Sequence, residues 1–410
     1  MTSTRRKRLV LITVLIAVFL LWWFASEPKH EVRYTVADLG AGLRPSDIND
    51  RGEVLLNHGA QTYVWSATRG LTEICHKLNS IGTSINHLGE VAGIIMAPPI
   101  QYIPGVDYGR TLLPLWEPQE GLSIRKLSCG FVRDALGGIT VVDLPAGWYL
   151  SKGIINNSGS VVWDRDIYSH HMRDTAYRWD ATTGAVEISS ASGKLVSVID
   201  SNDAGEVIGH VVIASDADGK PKLARWDPVN GIQLLEFSIR EGEEIHPKTL
   251  LASGQIGGII RGRDKIGNPF LWDGERMLKL ETFGGKCHVS DMNEKLQIVG
   301  NSTTRLEDRL RSSFDSWDKD LEASGKAGRW LRKNVIKYDP YIDKYHAATL
   351  WENGQVYNLN DLIRPRSGWV LKYATAINEV GQIVGGGEYR GKSHTFLLTP
   401  IKEETTAGPQ

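Results

Sequence analysis

Cysteine is scarce in this sequence: Cys75, Cys129 and Cys287 are the only three among 410 residues. So few and so scattered, and odd in number, they exclude a disulfide framework, and no CxxC or other metal-ligand spacing involves them. Buried structural thiols are the expectation. Net charge is lacking too. The formal value is −1, with no long basic tract beyond the N-terminus, so no counterion-release term is available for gripping nucleic acid and DNA and RNA are set aside as partners. Motifs that commit a chain to catalysis are also missing. There is no HExxH and no GxSxG nucleophile elbow, nor a Walker loop or dinucleotide GxGxxG in a βαβ setting. No cofactor is implied.

What the chain has instead is glycine, 43 residues, and tryptophan, 13 residues, a composition that fits a turn-rich β protein and argues against disorder. The N-terminus stands apart. Arg5-Arg6-Lys7-Arg8 precedes LVLITVLIAVFLLWWFA, an uncharged run over 9–25 that reaches about 26 Å as a helix, nearly the thickness of a bilayer core. A signal peptide usually has a shorter apolar region, and bulky Trp23 and Phe24 sit where its cleavage site would want small residues. The expectation is an uncleaved transmembrane anchor at 9–25, with a cytoplasmic basic segment at 1–8, a linker at 26–32 and the rest outside the cytoplasm.

From there a phrase recurs: INDRGEVLL from Ile48, INHLGEVAG from Ile85, INNSGSVVW from Ile155, SNDAGEVIGH from Ser201 and AINEVGQIVGGG from Ala376. Degenerate copies stand at Leu251–Gly254 and in MNEKLQIVG around Asn293. Asparagine capping its own backbone, with a glycine three residues later to take the left-handed conformation, is the chemistry of a hairpin turn. Each turn is followed by a short apolar segment and then by another ending in tryptophan: Trp65, Trp116, Trp179, Trp226, Trp272 and Trp351. Alternating apolar runs between such turns read as strands. Seven four-strand units of roughly 40 to 50 residues are the signature of a propeller. One tryptophan per unit is a packing plate between neighbouring sheets.

The seventh unit ends after a third strand, HTFLLTP, while RYTVADLG, Arg33 to Gly40, precedes the first turn and resembles the segments that finish other units. The reading is an all-β, seven-bladed β-propeller over 33–400, closed by its N-terminal strand so that two sheet edges disappear, followed by a tail at 401–410. AINxxGQIVG followed by SHTFLL, together with xxLWxxG, resembles the HAF-type extracellular repeat family. Only His394 with Phe396 fits its His-Ala-Phe triplet closely. The resemblance implies architecture and export; it implies no ligand.

In such blades the turns between first and second and between third and fourth strands share one face. That face is compact here. The other receives the insertions: Ile94 to Thr111, Cys129 to Leu150, Asp164 to Asp174 and Asn301 to Tyr345. The last is expected to carry a helix in blade six, with a capping box Thr304-x-x-Glu307 and a stripe of Leu306, Leu310, Phe314, Trp317 and Leu321. Long loops on one face of a rigid scaffold usually carry the binding groups. Candidates are Trp148, Tyr149, His170, His171, Arg173 and Trp317, with Tyr102 and Tyr108, aromatic and polar groups suited to a protein or a glycan. Asp47, Asp200 and Asp291, two residues before their turn positions, could hold a cation, though hydrogen bonding at a strand end is their commoner use. The functional expectation is a membrane-anchored, extracytoplasmic, non-catalytic binding or assembly module. An envelope carbohydrate-active hydrolase or lyase at the channel mouth is the alternative, marked by convergent carboxylates or histidines with shifted proton affinity.

Overall fold

The computed structural model of the protein describes residues 31–76, 78–96, 128–142, 150–165, 176–190, 193–213, 221–263, 267–304 and 346–401. Alternating short strands and tight turns leave each sheet with two apolar faces, and the chain buries them by setting sheets side by side. Seven antiparallel sheets result, six of four strands and one of five. They are seven propeller blades. The first six cover residues 44–73, 80–142, 150–187, 189–234, 244–279 and 284–358. The seventh combines Trp369–Ile377, Ile383–Tyr389 and Lys392–Pro400 with Tyr34–Ala41 from the other end of the chain. That pairing is antiparallel, from Tyr34 opposite Pro400 to Ala41 opposite His394. His394 Nδ1 lies 2.9 Å from Asp38 Oδ1 across it.

First strands form the inner ring. Arg44–Ile48, Ser80–Ile85, Leu150–Ile155, Gly193–Ser201, Glu244–Leu250, Gly284–Met292 and Trp369–Ile377 each contact the next, and the last contacts the first. The core is correspondingly divided into seven apolar clusters, each straddling one pair of neighbouring blades. Leu39 and Leu397, for example, meet Ile48 and Val54 between the seventh and first blades.

Trp65, Trp179, Trp226, Trp272 and Trp351 occupy one register at the end of the third strand, opposite Val54, Val161, Val207, Ile256 and Ile298. Each packs in or against one of the inter-blade clusters. Blade two corrects the sequence reading. Its third strand is Ser128–Arg133 and its fourth Ile139–Val142, and Arg133, opposite Val91, fills the tryptophan register. LPLW116 imitates the repeat but lies outside the described residues. The expected insertion from Cys129 therefore begins with two strands, up to Val142, and the longer stretch between strands of this blade is 97–127.

A second repeated glycine has a steric cause. At Gly93, Gly209, Gly258, Gly300 and Gly385 an added Cβ would stand 1.9–2.4 Å from the carbonyl oxygen of the facing first-strand residue. These first strands bulge at that point, turning a carbonyl toward the second strand where only glycine leaves room.

The single helical element among the described residues is a 3-10 turn, Leu359–Leu362, and no described helix is long and apolar enough to cross a membrane. The apolar run 9–25 and the helical stripe expected after Asn301 lie outside the described residues. Asn301 itself belongs to the strand Ile298–Thr304. Cys75, Cys129 and Cys287 form no disulfide with one another, and burial pushes Cys75 up to about 11 and Cys287 to about 12.

Candidate functional site

The two ends of the propeller axis are built from different residues. At the compact end the turn asparagine does two jobs. Its Oδ1 accepts from its own turn, as Asn49 does from the N–H groups of Arg51 at 3.1 Å and Glu53 at 3.0 Å. Its Nδ2 donates across to the next blade. Asn49 reaches the Asn86 carbonyl at 2.9 Å, Asn86 that of Asn156 at 3.1 Å, Asn156 that of Asn202 at 3.3 Å and Asn202 that of Leu251 at 2.9 Å. Asn293 donates to Asn378 at 3.0 Å, and Asn378 to Asn49 at 2.9 Å. The gap falls between blades five and six, where Leu251 has no amide to offer. A second repeated bond remains there: Ala252 N–H donates to Glu294 Oε1 at 2.6 Å, as His87 N–H does to Asn157 Oδ1 at 2.8 Å and Glu379 N–H to Asp50 Oδ1 at 2.9 Å. The turn glycines take φ of 72° at Gly52 to 83° at Gly254, and Leu296 accepts 60° without being glycine.

Asp47, Asp200 and Asp291 strengthen the same seams. Asp47 accepts from Ile48 N–H at 2.8 Å and from Ile85 N–H of the next blade at 2.9 Å. Asp200 accepts from Leu250 N–H at 2.8 Å. Asp291 accepts from Met292 N–H at 2.8 Å and Ile377 N–H at 2.9 Å. They are half-buried and sit near the ends of first strands, on the inner ring. Burial pushes Asp47 and Asp200 up to about 6 and Asp291 to about 8, with mutual repulsion adding to the rise at Asp47 and Asp291. Among the described residues no group of three or more His, Cys, Asp or Glu could hold a metal ion. The carboxylates of Asp47 and Asp291 are spent on backbone N–H groups, which is their use in holding blades together.

The other end of the axis varies from blade to blade. One register of the first strand carries Arg44, Ile81, Lys152, Ser197, His246, His288 and Tyr373, opposite 57, 94, 164, 210, 259, 301 and 386. Cations gather on blades three to six. Lys152 Nζ donates to the Ile199 carbonyl of blade four at 2.6 Å, and Lys248 senses the charges of Lys152 and Arg261. Burial first, then neighbouring cations, hold His210, His246, His288 and Lys248 below their ordinary values. Beside His288, between blades six and seven, lies a cavity of about 680 Å³ lined by Ser290, Asn301, Tyr373, Thr375 and Ser393, among others. Its Lys372 is already paired with Glu388.

Trp148, Tyr149, His170, His171, Arg173 and Trp317 lie outside the described residues, as do Tyr102 and Tyr108. The strand ends that flank their loops are all at the cation-bearing face: Val142 and Leu150, Arg165 and Tyr177, Thr304 and Ala347. Sequence reading missed the cation cluster because its members are spread over four strands of three blades, from Lys152 to His288, and form no local motif. Contrary to the sequence reading, which has no Walker loop, the string Gly386–Ser393, GGEYRGKS, satisfies the spacing of one. The structure folds it into the hairpin between Ile383–Tyr389 and Lys392–Pro400. No helix N-terminus follows to receive a phosphate.

No family model matches the sequence, and no curated protein matches it. Solved structures similar in shape include YCF48 bound to a D1 peptide, at 11% identity over 92% of this chain and 100% of that one, TM-score 0.45. Others are a chain of the mitotic checkpoint complex, 9% identical over 92% and 97%, TM-score 0.46, and the β-propeller domain of the trilobed protease from Pyrococcus furiosus, 8% identical over 80% and 86%, TM-score 0.44. At this level of likeness they carry no argument about what the chain does.

Proposed function

We propose that this protein is a membrane-anchored, extracytoplasmic propeller of the HAF-repeat type that acts as a non-catalytic binding or protein-assembly module. The observation that carries the reading is the division of labour between the two faces. At one, the turn amides and carboxylates are consumed by bonds between blades. At the other, the connections 97–127 and 305–346 leave and re-enter the sheets, beside a mouth lined by six residue types in seven blades. A rigid ring presenting long connections is how scaffolds bind proteins or glycans. The chain enters its first strand at Tyr34, opposite Pro400 at the compact face, so an anchor at 9–25 would hold that face toward the bilayer and leave the other free.

The test is affinity capture from solubilised membranes with the intact chain and with forms lacking 97–127 or 305–345. Loss of a specific partner on deletion is the expected result. Capture of the same partners by all three forms would overturn the reading. The hydrolase or lyase alternative draws on the convergent histidines and raised carboxyl groups along the axis. Turnover of a polysaccharide panel, abolished by Asp291→Asn in a folded protein, would establish it in place of the binding module.

A further inference from the structure

The geometry points to an oxyanion-binding site at the variable mouth of the channel, formed by Lys152, Lys248 and Arg261 with His246 and His288, for a carboxylate- or phosphate-type group. This deepens the binding-module reading and rests on it in sharing the same face. Blades three, five and six contribute one strand each for Lys152, for His246 with Lys248, and for His288, while Arg261 ends the second strand of blade five. Lys152 and Arg261 stand near enough to Lys248, and Lys248 and Arg261 near enough to His246 and His288, for positive charge on each to be disfavoured by the others.

Compensation among the described residues is thin. Glu244 Oε2 stands 3.6 Å from His246 Nε2 on a side chain that is 77% exposed, and His246 Nε2 is buried without a hydrogen-bond partner. Asp200 interacts with Lys152, but it accepts from the N–H groups of Leu250 and Ser201. Cations held together in a partly desolvated aperture repel one another, and an anion placed among them relieves that repulsion and gains charge-assisted hydrogen bonds. Next to His288 the cavity of about 680 Å³ has hydroxyl groups in Ser290 and Ser393, while its Asn301 Nδ2 already meets His346 Nδ1 at 2.8 Å and its Glu388 is paired with Lys372; it gives room for the body of the ligand that bears the anion.

The experiment follows thermal unfolding of the full chain at constant ionic strength against inorganic phosphate and, separately, a tetraglutamate peptide. A saturable rise in Tm is expected with at least one probe, and is expected to weaken tenfold or more in Lys248→Met and Arg261→Gln. Arg69→Gln, at a compact turn on the opposite face, keeps the full response. A response to phosphate alone marks a free oxyanion, and one to the peptide alone marks acidic side chains of a protein. If a variant does not fold, phosphate-dependent shifts of the His246 and His288 ring protons in the unaltered protein take its place. No rise with either probe, unshifted ring protons, or a rise unchanged in both variants, which means an adventitious ion only, would overturn the site. Because these probes need no partner, the site can fail while loop deletion still abolishes capture, or the reverse.

Discussion

Replacing Asn378 with alanine probes the bond that joins the last blade to the first. Asn378 is 4% exposed; its Nδ2 donates to the Asn49 carbonyl at 2.9 Å and to Gln382 Oε1 at 2.9 Å, and its Oδ1 accepts from Gln382 N–H at 2.8 Å. Truncation leaves the Gln382 N–H with no side-chain acceptor, a cost of about 1–3 kcal/mol, and removes the cross-blade donor, worth about 1 kcal/mol. The Asn49 carbonyl still accepts from Gly52 N–H at 2.9 Å, which keeps the second figure small. The sum is about 3 kcal/mol, read as a shift in urea midpoint at unchanged slope. Amide exchange should quicken first in Trp369–Ile377 and Arg44–Ile48, the strands that flank the seam. A loss below about 0.5 kcal/mol would refute the clasp as an energetic element, since surface substitutions alone produce that much. So would a loss shared evenly by blades far from the seam.

Gly300→Ala would place a Cβ 1.9 Å from the His288 carbonyl oxygen; overpacking of this kind costs about 1–3 kcal/mol or more, and an unaltered melting curve would show that the bulge can flatten. For Asp291 the folded group keeps its proton to about pH 8, against an ordinary 3.8. The folded state therefore binds the extra proton between these values, and stability falls as pH rises through that window by at most about 1.4 kcal/mol per unit. Histidines held low act with the opposite sign and mainly below pH 6.5, so the interval from 6.5 to 8 isolates Asp291; Asp291→Asn should flatten it, and an unchanged slope there would contradict the assignment. Removing residues 1–41 strips Lys392–Pro400 of its outer partner and exposes a sheet edge. The shortened chain should aggregate at concentrations where a form that begins at Glu31 keeps a constant light-scattering signal.

Fold was legible here because its signals are local and repeated. Asn49, Asn86, Asn156, Asn202 and Asn378 each announce a hairpin within five residues, and with the degenerate copies at Leu251 and Asn293 the count of such turns is the count of blades. Blade two was misread where that logic fails. LPLW116 has the letters of a third strand, whereas Arg133 holds the tryptophan register in the fold, a substitution that periodicity cannot see. The outward half of each asparagine was hidden as well. Turn chemistry accounts for Oδ1, but the partner of Nδ2 lies 329 positions away for Asn378. The site was least legible of all, since the expected residues are loop-borne and those the structure gathers, Lys152, Lys248, Arg261, His246 and His288, carry no motif.

The pattern of departures from the repeat locates function better than the repeat does. Bonds that hold the ring recur around it in two kinds, the asparagine relay and a turn N–H that donates to the next turn's side chain, as His87 does to Asn157 and Glu379 to Asp50; the seam at Leu251 lacks the first and keeps the second, at Glu294. No such economy applies to the register of Arg44, Ile81, Lys152, Ser197, His246, His288 and Tyr373. A position with a purely structural task in a circular array meets nearly the same surroundings seven times and should converge on one residue type, as the turn asparagine does. This one holds cations, an aliphatic chain, a hydroxyl, two imidazoles and a phenol. Surroundings that differ so much must come from something without the propeller's symmetry. An asymmetric ligand lying across the mouth, with its anionic end toward blades three to six, supplies that difference.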